Sequence, residues 1–535
     1  MTDFFRKHTL IAGTLLLTAT GFASRILGFF YRIFLSRTIG AEGLGIYQMI
    51  FPVYGVCFSL CAGSIQTAIS RFTAADERRA RKTLLTGFSI SFALSLGLAA
   101  LIIRFSDFLA VHILMEPRCA PLLPALALAF PCTSIHACIC GYYYGKEKVQ
   151  VPALAQLAEQ CVRIFTVFII TDICREQGRP VTVFVAVAGL VAGEAGSALF
   201  TLVSYLLFSQ NPETGENPYA DRAPYTGKIP HTNKLPYTDK KIQRGVNSFF
   251  ETAIPLMALA APLMANRLVV NLLQSLEAIL IPNRLNSFGL SKAQALSVYG
   301  ILTGMSMPFI MFPSAIVNSL AVVLLPTVAR HQSAGNDTEI SRNISMSFRY
   351  SLYMGILCIG IFTVFGDNLG VEVFKNQDAG TFISILAWLC PFLYLATTMG
   401  SILNGLGKTT CTFLHNLTSL LLRLLFVAFG IPLFGIRAYL LGMLCSELCL
   451  ALLHLYRLRR FVDFSANVWE VLVKPVFCLA VAMGIFSLFP ENLPGFAQVP
   501  PFFLTAVRIL IVCAAYVLML LLFHKKQTDR VSRSI

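Results

Sequence analysis

The chain has 535 residues, 56% of them hydrophobic and only 13% charged, and its mean hydropathy is +0.70. Soluble domains carry about 25% charged residues, so a soluble globular protein is excluded. The expected class is an all-α polytopic membrane protein. The net charge of +15 belongs to loops flanking spans; no nucleic-acid-binding motif accompanies it.

Arg6 and Lys7 lead into an apolar run much longer than the ~7–15 residue core of a cleavable signal, so that run is expected to be the first span. A helix needs ~20 apolar residues to cross the hydrocarbon. Apolar runs between polar breaks fall near 10–36, 44–70, 84–105, 120–143, 153–173, 181–208, 249–275, 295–328, 346–365, 380–402, 411–432, 437–456, 470–489 and 502–523, fourteen in all. The second and eighth contain proline, which predicts bends. With the N-terminus inside, 26 of the 42 lysines and arginines fall on inner segments and 9 on outer ones. That bias places both termini in the cytoplasm.

The stretch from Pro218 reads "PYADRA PYTGKI PHTNKL PYTDKK", a six-residue unit written four times. It is polar, mixed in charge and has little to bury. It reads as a flexible cytoplasmic linker rather than a partner-docking element. The expected division is a first lobe over 1–208, the linker over 209–248, a second lobe over 249–460, and two further helices with a tail over 461–535.

The two halves repeat. Under a shift of 260 residues, Pro131 falls on Pro391, Gly145 on Gly405, Lys148 on Lys408 and Arg163 on Arg423. "ASRIL" around Arg25 is similar to "ANRLV" around Arg267, and Glu194 has its counterpart in Glu447. Six spans is an even number, so both copies enter the membrane the same way. Parallel repeats of this kind place substrate sites between the halves and work by alternating access.

Ionisable residues inside spans are functional candidates, and they also act as structural glue. Arg163 with Glu194, and Arg423 with Glu447, lie at matching depths on adjacent spans, which predicts an ion pair in each half. Either is a structural lock or a coupling and gating element. Glu159, one turn before Arg163, joins that network or binds a coupling cation; its repeat position is Ser419. Arg25, Arg32 and Arg267 have no acid at matching depth on their own spans. Asn266, Arg267, Asn271 and Gln274 form a polar stripe on the seventh span through four-residue spacing. Guanidinium forks match phosphate oxygens, so Arg25, Arg267 and Arg32 with this stripe are candidates for an anionic substrate. Arg32 lies near a span end, where snorkelling to the surface is the alternative.

Fifteen cysteines lie mostly in apolar runs without the spacing of a zinc site, and read as small apolar filler. No cofactor or metal is expected. An enzyme is disfavoured: there is no nucleophile–base constellation, and "NGLGKTT" lacks the spacing of a phosphate-binding loop.

"SRILGFFYRIFLSRTIGAEGLGIYQMIFPVYG", "FPSAIVNSLAVVLLPTVAR" and "NGLGKTT" resemble the stage V sporulation protein B group, from the polysaccharide-export branch of the multidrug/oligosaccharidyl-lipid/polysaccharide (MOP) flippase superfamily. The resemblance runs from about residue 6 to 525. It implies fourteen helices in two lobes around a cavity, and movement of undecaprenyl-linked sugar precursors to the outer leaflet. The chain is similar also to lipid II flippases, whose cavity arginines are thought to meet pyrophosphate. Arg25 matches the first of these; the next would fall on Tyr31, one residue before Arg32, and the eighth-helix arginine on Pro308. Lipid II itself is therefore not singled out, and Arg267 is expected to supply the second contact. The implied partner is a polyprenyl-linked glycan, with a coupling cation, handled by a monomer. The competing readings are a cation-coupled multidrug and toxin extrusion antiporter and a non-transporting scaffold of spore or envelope assembly.

Overall fold

The structure is a computed structural model and describes residues 2–208, 246–462, 467–487 and 501–533. The Pro-Tyr repeats lie outside the described residues. Among the described residues every regular element is helical. In chain order the principal helices are α1 (Thr2–Met49), α2 (Phe51–Phe58), α3 (Ser64–Ala75), α4 (Ala80–Arg104), α5 (Ala129–Gly145), α6 (Gln150–Glu176) and α7 (Phe184–Phe208). They continue with α8 (Val246–Ser287), α9 (Lys292–Gly300), α10 (Ser314–Ser333), α11 (Asp337–Phe374), α12 (Cys390–Gly405), α13 (Thr409–Leu425), α14 (Ile436–Arg459) and α15 (Pro501–Arg533).

Twelve described stretches are long and apolar enough to cross a membrane. The first, Ala19–Ala75, covers the first two expected runs. Within the thirteenth expected run a π turn, Trp469–Val473, leads directly into a helix described over Lys474–Ser487. The bends have local causes. Gly40, with φ 72° and ψ −178°, breaks α1 in a conformation that a side chain resists. π turns at Ser59–Gly63 and Ile301–Ser306 interrupt the second and eighth runs.

The chain divides into two compact units. Unit 1 is Met1–Ser24, Ile50–Pro180 and Phe184–Leu272; unit 2 is Arg25–Met49, Val181–Val183 and Leu273–Ile535. The borders fall inside α1 and α8.

Lipid tails are as apolar as leucine, so packing inside a membrane protein relies on close approach at small residues rather than on hydrophobic transfer. Both units use the same device. In unit 1 a Cβ on Gly145 would sit 2.6 Å from the carbonyl oxygen of Ser70, which fixes how closely α5 approaches α3. In unit 2 the repeat partner Gly405 brings α12 against α10, where a Cβ would sit 2.7 Å from the carbonyl oxygen of Leu325. Buried hydroxyl pairs also recur. Ser91 and Ser134 are 2.7 Å apart between α4 and α5, and Ser351 and Thr398 are 2.9 Å apart between α11 and α12. Ser351 lies 260 residues after Ser91, the shift of the sequence repeat. Around these contacts Ile65, Ile69, Leu84, Cys138 and Leu256 form one apolar core, and Val328, Ile344, Met399, Leu403 and Leu450 another.

A candidate anion site and two buried charge networks

The stripe on α8 is placed by the second span. The Asn271 amide donates to the carbonyl of Gly55 in α2 at 3.1 Å and to Ser59 Oγ at the start of the π turn. One turn earlier on α8, the Arg267 guanidinium donates to Thr67 Oγ1 at 3.2 Å. It also lies across Gly63, where any Cβ would collide with Arg267 Nη1. The glycine is what lets the guanidinium rest on the helix surface. Arg267, Asn266 and Gln274 are exposed, and Asn271 is partly buried. Arg267 has no acidic partner among the described residues. An arginine satisfied by one neutral hydroxyl keeps most of its five donors for something else.

The other two arginines differ. Arg25 is exposed and, among the described residues, meets no acid. Arg32 is partly buried and donates from Nη1 to the carbonyl of Thr303 at 3.2 Å, within unit 2. One of its donors thus goes to the main chain.

In unit 1, Arg163 forms an ion pair with Glu159, one turn away on α6. Glu194 on α7 is buried at 5% exposure. It accepts from Tyr54 Oη at 2.7 Å and from Thr133 Oγ1 at 3.0 Å, hydroxyls on α2 and α5. The Arg163 side chain runs against Gly193, where a Cβ would stand 3.1 Å from its Cβ. Arg163, Glu159 and Glu194 therefore share one region between α6 and α7.

In unit 2, Arg423 on α13 stands 3.8 Å from Glu447 on α14 and 2.9 Å from Glu277 on α8. Tyr439 Oη donates to the same Glu277 oxygen at 2.7 Å. Isolated charges at this depth are strongly unfavourable. The network supplies the guanidinium with two carboxylates, and one of these with a phenol. From the sequence Glu277 is an acid near the end of the seventh run and is not paired with Arg423, because that run ends at 275, whereas α8 continues to Ser287. Counting the helix past its apolar run would have found it. Tyr54, Thr133 and Thr303 had no signal, since hydroxyls and carbonyls recruited from distant helices leave no periodicity.

Residues 10–332 match the family model described as polysaccharide biosynthesis protein. The chain belongs to this family. It is 26% identical over 534 residues to "Stage V sporulation protein B" of Bacillus subtilis (strain 168), covering 98% of each chain. It is 22% identical over 511 residues to "Lipid II flippase MurJ" of the same organism, covering 90% of this chain and 87% of that one. Among solved structures it is similar to "Lipid II flippase MurJ, inward closed conformation", with a TM-score of 0.70 at 13% identity over 96% of this chain and all of that one. The chain thus shares the fold of that solved structure.

Proposed function

We propose that the chain is a transporter that moves a lipid-linked glycan, an undecaprenyl pyrophosphate-linked oligosaccharide or a peptidoglycan-type precursor, to the outer leaflet of the bacterial plasma membrane by alternating access. The supporting observation is Arg267, exposed, seated over Gly63 and met by one neutral hydroxyl. Such a guanidinium is suited to phosphate oxygens. Arg25, the repeat counterpart of Arg267, is likewise exposed and without an acid among the described residues, and is a contact for the same chemistry in its own unit; Asn266 and Asn271 flank Arg267. Family membership and the similarity to the relative named "Lipid II flippase MurJ" support the same reading. The buried networks of Arg163 and Arg423 act as locks. Transport draws on an ion gradient, the membrane potential or the substrate gradient, and both termini face the cytoplasm.

The test replaces Arg25 and Arg267 singly by alanine in a strain that depends on the protein. Membrane abundance is measured alongside the lipid-linked sugars of the inner leaflet. Normal abundance with accumulated lipid-linked sugar supports the reading. Abundant variants of both residues with full activity remove the anion site, and accumulation of an organic cation instead would favour drug extrusion.

A further inference from the structure

Inside unit 1 lies a cavity of about 420 Å³, between α2, α3, α5, α6 and α7. Its walls are of three kinds. Glu159 and Glu194 supply carboxylates, Gln66 and Gln156 supply amides, and Tyr54, Phe58 and Tyr144 supply aromatic rings. It extends to Tyr144 and Pro152, on either side of the loop that carries Lys146 and Lys148. Phe58 and Gln66 belong to the same span as Gly63 and Thr67, which hold Arg267, so cavity and anion site share one helical wall.

Size and charge narrow the occupant. A cation stripped of water takes oxygens at about 2.0–2.6 Å, and a water molecule fills only ~30 Å³. A chamber of about 420 Å³ is in the range of small-molecule sites, ~300–1,000 Å³. Two carboxylates face one guanidinium here, that of Arg163 on Glu159. Counting His136, also in the wall, as neutral or charged leaves no positive surplus, so a phosphate or an acidic sugar is disfavoured. Carboxylates and amides accept from and donate to hydroxyl groups at fixed angles, while aromatic faces cover apolar ring surface. That combination suits a polyhydroxylated ring.

We propose that this cavity is a saccharide subsite, taking a neutral or amino sugar ring of the transported headgroup while Arg267 holds its phosphate. The inference rests on the flippase reading and deepens it. Glu194 is held rigid by Tyr54 and Thr133, which leaves Glu159, Gln156 and Gln66 as the adjustable contacts.

The full-length protein in detergent is examined by saturation-transfer NMR. The probes are methyl glycosides of a neutral hexose, an N-acetylhexosamine and a uronic acid, with inorganic pyrophosphate run in parallel. The first two glycosides are expected to bind and the uronic acid not. Their signals should fall about tenfold in Gln156→Leu and in Glu159→Gln, the scale of one or two lost hydrogen bonds. Melting temperature identifies any variant that fails to fold, and Gln66→Leu then replaces it. Absence of glycoside binding to the unaltered protein, or signals unchanged in folded cavity variants, overturns the subsite. So does a shift in sodium-dependent melting with unchanged glycoside signals, which would mark a cation chamber. Failure of pyrophosphate alone removes the arginine site and leaves the saccharide subsite standing.

Discussion

Arg32 donates to the carbonyl of Thr303, and that carbonyl has lost its own helix partner. In the π turn Ile301–Ser306 each carbonyl looks five residues ahead, as Leu302 does to the nitrogen of Met307. For Thr303 the fifth residue is Pro308, which has no N–H. The arginine supplies the missing donor. Arg32→Ala is therefore expected to destabilise the protein by about 1.5–3 kcal/mol at most, the contribution of a hydrogen bond from a charged donor, here part-buried. The check is thermal melting in detergent. An unchanged melting temperature with lost transport would return Arg32 to the substrate site.

Gly63 and Arg267 are a matched pair. Gly63→Ala places a methyl group where Nη1 now lies, so the guanidinium must leave the helix surface. A loss of pyrophosphate binding approaching, and not exceeding, that of Arg267→Ala is expected, with near-normal membrane abundance. The double variant should be no worse than Arg267→Ala alone, because the two changes act on one contact. Additive losses would contradict the pairing.

The network of unit 2 should be costly to break from one side. Arg423→Ala leaves Glu277 and Glu447 buried without a cation, and Glu277→Gln removes the nearer acid; removing one partner of a buried pair costs about 3–5 kcal/mol. Arg423→Met combined with Glu277→Met and Glu447→Met is expected to recover much of that loss, since no buried charge is then left without its partner. The measurement is melting temperature with recovered yield. Single variants as stable as the unaltered chain would show that the charges are solvated.

Orientation can be tested with thiol labelling. Arg179 and Arg78 are exposed in loops assigned to opposite sides. In a cysteine-free background Arg179→Cys should react with an impermeant maleimide on intact cells, and Arg78→Cys only after permeabilisation. The reverse pattern would invert the chain. Native Cys119, although outside the spans, should stay silent: burial pushes its thiol up to about 12. Its thiolate, the reactive form, would then appear only near that pH, and labelling at neutral pH would contradict the buried placement.

The class of fold was legible because hydropathy and span length are one-dimensional properties. The duplication was legible for the same reason: Gly145 and Gly405 mark matching close approaches in each unit. What lay beyond reading was the choice of partner. Arg423 stands against Glu447, as depth counting suggested, yet nearer to Glu277, two residues past the assumed end of the apolar run. Arg163 meets Glu159 on its own helix, while Glu194 is held by hydroxyls 140 and 61 residues away. Depth can be counted along a chain; which helix faces turn toward one another is decided by packing.

The two buried arginines also differ in when their charge is met during synthesis. Arg163 enters the bilayer with Glu159 one turn away on the same helix, so α6 can insert as a locally neutral segment. Arg423 has no such companion, since Ser419 stands at that position. Its helix α13 bears a bare charge, roughly 2.5–3.5 kcal/mol unfavourable on insertion scales. Relief comes from Glu277, already made and waiting in α8, and then from Glu447 in α14. In glycosylation-mapping assays of isolated segments, α6 should insert unaided and α13 should need α8. Helix α6 can thus be laid into the membrane by itself, whereas α13 requires that an early helix, α8, be retained beside the insertion site until it arrives.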